Sequence, residues 1–154
     1  MLAYVFWHRP RGGTEMEAYE EASVAFHRSL AHRRPVGMRC SCTLRLEELP
    51  WLPASAGAGG EDAAGGAVGY EDWYLIDDFT ALGVLNEAAV GRGHRTSHDR
   101  LARRSGVGAG GVYMLVEGEA VIAPPAGESS QATWVALPPG SAPREVFELL
   151  GDGI

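Results

Sequence analysis

Five histidines are spread over the 154 residues of this chain, and three of them stand where an imidazole could do chemistry. His94 and His98 are four apart, the spacing that puts two side chains on one helical face and that metal sites often use. Gly91 and Gly93 precede the first of them, and Thr96 with Asp99 looks like a helix start that falls between them. No HExxH pattern is present, so the expectation is a loop histidine followed by a histidine near a helix N-terminus, with no metal. His8 and Arg9 end an apolar run, at a strand terminus where small ligands bind in layered α/β folds and where an imidazole can serve as a general base. The alternative for His8 is a structural hydrogen bond to a loop carbonyl.

Two further groups carry chemistry by type. Glu71-Asp72-Trp73-Tyr74, followed by Asp77-Asp78, sets aromatic side chains with polar handles beside carboxylates. Trp73 and Tyr74 suit a ligand wall, and suit a core or a dimer interface equally well. In Arg39-x-Ser41-x-Thr43-x-Arg45 the polar residues share one strand parity. If that face is enclosed, Arg39 and Arg45 can hold a carboxylate or phosphate through paired hydrogen bonds; otherwise they form a wet sheet face. The glycine-rich run 106–111 does not fit a phosphate loop, because it follows a helix and opens a strand. Gly106 is there the expected helix C-cap.

The elements that would position these residues follow from pattern. Leu2 to Arg9 is a strand with apolar residues on both faces. Met16, Tyr19, Ser23, Phe26 and Leu30 recur at helical spacing, which predicts an amphipathic helix over 14–34, opened by a Thr14/Glu17 capping box and stopped before Pro35. Residues 37–46 alternate cleanly, with Met38, Cys40, Cys42, Leu44 and Leu46 on one parity. Cys40 and Cys42 therefore point the same way, a poor disulfide geometry, and are expected as buried thiols. A Gly/Ala linker spans 54–69. Tyr70 to Asp77 is a strand, Thr80 opens a helix through Leu82, Leu85 and Asn86, a short helix runs to Ser105, and residues 112–117 form the next strand. Beyond it, 133–137 reads as a strand and 144–150 as a short helix.

Composition narrows the classes. The formal charge of −7 argues against a nucleic-acid backbone as partner. All 13 basic residues are arginine, which together with 21 glycines points to coding bias and also excludes a lysine Schiff base. No apolar run reaches the roughly 20 residues of a membrane span, and the N-terminus lacks the basic flank of a signal peptide, so the expected compartment is the cytoplasm.

The order β-α-β-β-α-β, the strand ending at Pro10 and the long first helix resemble the ferredoxin-like fold, and within it the dimeric α/β barrel superfamily. The resemblance covers about residues 1–119. It implies an α+β protein with an antiparallel sheet and helices on one face, to which 120–154 adds an extra strand and a short helix within a single domain. It further implies a homodimer with a pocket between sheet and helices, and no cofactor. Two functions follow from it: binding of a small molecule in that pocket, or a small cofactor-independent monooxygenase-like activity on an aromatic substrate. The candidate ligand-binding residues are His8, Arg9, Arg39, Trp73, Tyr74, Asn86, His94 and His98.

Overall fold

The computed structural model describes residues 1–47, 49–52, 68–91, 93–115 and 139–140. The chain divides into two compact units, Met1–Ala123 and Pro124–Ile154. Every element below belongs to the first. In the second the description reaches only Pro139 and Gly140, which form a turn. Most of the Gly/Ala linker, residues 54–67, and the strand and helix expected at 133–137 and 144–150 lie outside the described residues.

The elements run β1 (Leu2–Pro10), α1 (Met16–His32), β2 (Met38–Leu46), β3 (Gly69–Ile76), α2 (Phe79–Val90), α3 (Arg95–Ala102) and β4 (Ser105–Met114). Four strands make one antiparallel sheet in the order β2-β3-β1-β4. The first strand is therefore central, as its two apolar faces require. In its register Phe6 stands opposite both Asp72 of β3 and Gly110 of β4.

The stripe on α1 buries Tyr19, Ala22, Phe26 and Leu30 against Met38, Tyr70, Tyr74 and Ile76 of the sheet, with Leu85 and Leu101 closing the cluster from α2 and α3. Each such aliphatic side chain removed from water contributes about 1.5–3 kcal/mol, which is what holds the helices on this face. Gly37 makes the turn into β2 at φ +78°, and a Cβ there would sit 2.5 Å from that of Ala81 on α2. Only glycine combines that backbone with that approach. Among the described residues no helix is long and apolar enough to cross a membrane.

The local chemistry departs from the sequence reading at several points. Thr14 does not cap α1; the N-cap is Glu15, without a side-chain bond, and the Thr14 hydroxyl donates to the Arg104 carbonyl at 3.4 Å. On α2 the cap is Asp78 rather than Thr80, its carboxylate accepting from the Ala81 amide at 2.8 Å. In β2 the alternation breaks at a bulge between Met38 and Cys40, so Met38 enters the helix-side core while Ser41, two residues past Arg39, turns to α1. Cys42 pairs with Trp73 across the strands, whereas Cys40, expected to be buried, is exposed.

The largest difference is β4. The run 106–111 lies inside this strand, and Arg103, not Gly106, caps α3. Gly108 and Gly110 are there because aromatic rings from β1 lie across them. A Cβ on Gly108 would meet the Phe6 ring at 2.5 Å, and one on Gly110 the Tyr4 hydroxyl at 2.8 Å. Glycine in a strand interior costs stability and so marks a close approach.

Candidate functional site

Alternation on β3 sends Asp72 and Tyr74 to the helix side and Glu71 to the other. Asp72 is 2% exposed, and three side chains converge on it. His8 Nε2 lies 3.2 Å from its Oδ1 and His27 Nε2 3.3 Å from the same oxygen. Both contacts are at ion-pair distance but off hydrogen-bond alignment, so their contribution is electrostatic attraction. Tyr74 donates its hydroxyl to Oδ2 at 3.1 Å.

The second nitrogens of both imidazoles are also engaged. His27 Nδ1 meets the Ser41 hydroxyl at 2.8 Å, and His8 Nδ1 the Tyr19 hydroxyl, which lies 3.4 Å from Ser105 Oγ. With those hydroxyls donating, each ring carries its proton on Nε2, the nitrogen nearer Asp72. The rings are further held by stacking, His8 on Tyr70 at 5.7 Å and His27 on Tyr74 at 5.3 Å between centroids.

Burial alone would raise the Asp72 carboxyl, but the His27 and His8 contacts outweigh it and hold the group well below the usual carboxylate range. Asp72 is therefore a buried anion. Burial and the neighbouring Asp72 push the Tyr74 phenol well above its ordinary value, which keeps it a neutral donor. Tyr19 is raised too, first by burial.

Beside this cluster a cavity of about 660 Å³ opens between the sheet and the two short helices. Tyr4, Phe6, Phe26 and Tyr74 supply aromatic walls; Leu82, Leu85 and Leu101 close the helix side. Asp72 stands at its floor, and the polar rim consists of Asn86 from α2, His98 from α3, Ser105 and Arg11. His98 faces Phe26 edge-on at 5.7 Å between centroids, and its Nδ1 lies 3.2 Å from Asp99 Oδ1. That contact is the main cause of the lowered Asp99 carboxyl. A carboxylate on Nδ1 leaves Nε2 as the basic nitrogen, the arrangement general bases use.

The sequence candidates separate into three groups. Tyr74, Asn86 and His98 line the cavity, and His8 reaches it through Asp72. Arg9 and Trp73 lie elsewhere. Arg9 is buried and donates to the Leu49 carbonyl at 2.6 Å and the Leu52 carbonyl at 3.2 Å, while Trp73 and Trp7 both donate their indole N–H to the Glu71 carboxylate on the opposite sheet face. The remaining two are fasteners. His94 is buried between the Ser29 hydroxyl at 2.9 Å and the Arg33 carbonyl at 3.0 Å, tying α3 to the end of α1. Arg39 is exposed and pairs with Asp77 at 2.6 Å. The other arginine of that strand, Arg45, pairs with Glu20 at 3.6 Å across an exposed surface.

His94 and His98 thus diverge, and no cluster of three metal-ligating side chains exists among the described residues. Sequence reasoning missed His27, Tyr19 and Asp72 as one unit. The signal available was polar Ser23 and His27 on the buried stripe of α1, between Tyr19 and Leu30.

No known family profile matches this chain, and no curated protein matches it by sequence. In structure it is similar to SnoaB, a cofactor-independent oxygenase from Streptomyces nogalater, with a TM-score of 0.52 and 13% identity over 76% of this chain and 94% of that one. It is similar also to At3g17210 from Arabidopsis thaliana, with a TM-score of 0.50 and 10% identity over 78% and 100%. The chain has a ferredoxin-like fold. A dimeric protein of unknown function with a ferredoxin-like fold from Bacteroides fragilis aligns as well, at a TM-score of 0.48 and 11% identity over 74% and 95%. This ferredoxin-like chain carries two helices, α2 and α3, between β3 and β4, and the cavity lies where both meet the sheet.

Proposed function

We propose that this protein binds a small, largely apolar molecule in the cavity between the sheet and helices α2 and α3. The observation that carries this reading is the cavity itself. Its volume of about 660 Å³ falls in the middle of the range for small-molecule sites, and its walls are aromatic and aliphatic with a few convergent polar groups. The glycines of β4 support it, since they keep a strand free of side chains where Tyr4 and Phe6 form the wall.

A second reading is catalytic, a cofactor-independent oxygenase-like reaction on an aromatic substrate. His98 favours it: an imidazole on the cavity rim, with Asp99 against its Nδ1, has its other nitrogen available to take a proton from a bound hydroxyl. In this reading His98 is the base, Asn86 orients the substrate, and Tyr74 and Asp72 form a fixed polar floor.

The protein acts as a homodimer in this proposal. Its support is the apolar end of the edge strand β4, where Val112, Tyr113, Met114 and the following Leu115 are exposed, since an uncovered apolar strand edge favours pairing with another chain.

Native mass spectrometry of freshly purified protein tests both parts. Expected are a species of twice the chain mass of 16.4 kDa and a small-molecule adduct that Ala89→Trp, which fills the cavity from α2, removes. A bare single-chain mass overturns the dimer, and an adduct retained by the variant overturns the cavity as its site.

A further inference from the structure

We infer that the ligand of this cavity is an elongated apolar molecule with one anionic head group, the head held by Arg11. The inference rests on the binding reading above and adds the shape and charge of what is bound.

Shape comes from the strand that floors the cavity. Its lining begins at Tyr4, paired with Tyr74 and Val112, and ends at Arg11, one residue beyond Pro10, which pairs with Ser105. Seven residue steps of extended chain span roughly 20 Å. The 660 Å³ cavity divided by that length leaves a mean cross-section of roughly 30 Å². That is about the width of a single ring or an alkyl chain, so a long narrow body suits the cavity.

Charge comes from comparing the two ionic groups along the cavity. The Asp72 carboxylate is already committed. Its Oδ1 is closed off between two imidazoles and its Oδ2 takes the Tyr74 hydroxyl. The floor therefore asks for no cation. Arg11 is the opposite case, exposed at the far end and in no ion pair with any described residue. Its backbone is fixed by the N–H bond to the Arg104 carbonyl at 2.7 Å, next to Ser105 on the rim. The neighbouring Arg104 donates its guanidinium to the Arg100 carbonyl at 2.9 Å. A guanidinium so placed binds a carboxylate or phosphate through two parallel hydrogen bonds. In a protein of net charge −7, a guanidinium at the mouth of the cavity favours an anionic head group over a neutral one.

Calorimetric titration with dodecanoate and with dodecanol, both below micelle formation, tests the inference. The wild type is expected to bind dodecanoate about tenfold more tightly than dodecanol. Arg11→Gln, an exposed change that leaves melting unaltered, is expected to weaken dodecanoate about tenfold and leave dodecanol unchanged. Equal affinities in the wild type, or undiminished dodecanoate binding by Arg11→Gln, overturn the anionic head. The apolar-cavity reading survives that outcome. If neither compound binds, or if Ala89→Trp still binds dodecanoate, the cavity reading fails with it.

Discussion

His27 of α1 brings its Nε2 within 3.3 Å of Asp72 Oδ1 of β3, so the first helix and the central sheet are joined by a polar contact inside the core. His8 reaches the same oxygen from β1. A carboxylate enclosed in this way locks three elements around the cavity floor. It also couples the stability of that floor to pH.

The Asp72 carboxyl is depressed below its unfolded value of about 3.9. Its contribution is therefore complete above that value and is lost as pH falls toward the folded one. Urea denaturation followed from pH 6 down to pH 3 should show stability falling from about pH 5 downward. Asp72→Asn should flatten that limb and cost roughly 1–3 kcal/mol at pH 7, because it takes the carboxylate away from two buried imidazoles and the Tyr74 hydroxyl. The exposed Asp99 is depressed too, by His98, so Asp99→Asn serves as the control. A limb that persists in Asp72→Asn and vanishes in Asp99→Asn would assign it to the surface pair instead.

The two histidines at 94 and 98 should separate structure from function. His94→Ala removes buried bonds to Ser29 and Arg33, and is expected to lower stability by about 1–3 kcal/mol while leaving cavity ligands bound in the folded protein. His98→Ala, on the rim, should change melting little and reduce ligand affinity or turnover. Thermal melts alongside titration read both variants. The reverse pattern would move the site away from α3.

Filling the glycine strand should close the cavity from below. Gly110→Val places branched carbons where Tyr4 and Phe6 now lie, and the rings must shift into the cavity. Overpacking of this kind costs about 1–3 kcal/mol, and ligand affinity should fall with it. Retained affinity at reduced stability would mean that Tyr4 and Phe6 do not form the wall.

The two thiols should differ in reactivity. Cys40 is exposed, whereas burial, with Asp72 adding to it, pushes Cys42 up to about 12. Iodoacetamide at pH 8 is expected to label Cys40 well before Cys42, as read by peptide mass spectrometry, because only the thiolate reacts. Equal rates would show that β2 opens from the sheet edge on the labelling timescale.

Much of this architecture was legible from periodicity. Helix α1 announces itself by Tyr19, Ser23, Phe26 and Leu30, and the double apolar faces of β1 predict its central place. Pattern fails where a residue is chosen for a neighbour distant in sequence. Residues 106–111 read as a glycine run ahead of the strand because glycine opposes strand formation, and the rings of Tyr4 and Phe6 are what explain Gly108 and Gly110 inside it. The site behaves likewise. His8 and Asp72 meet because antiparallel pairing sets Phe6 opposite Asp72, and His27 joins them only once α1 has packed on the sheet. His98 and Tyr74 were identifiable by type and element; Arg9, Arg39 and Trp73 were equally plausible by type and belong to other surfaces.

The most direct test of this binding mode is calorimetric titration of cis-parinarate, a long narrow fluorescent anion, into the wild type and into Ala89→Trp. The account predicts saturable binding of one molecule per chain in the wild type, and its loss in a variant that melts at the same temperature. Equal binding by both proteins would contradict it, because the probe would then sit on the exposed apolar surface and not between the sheet and the helices.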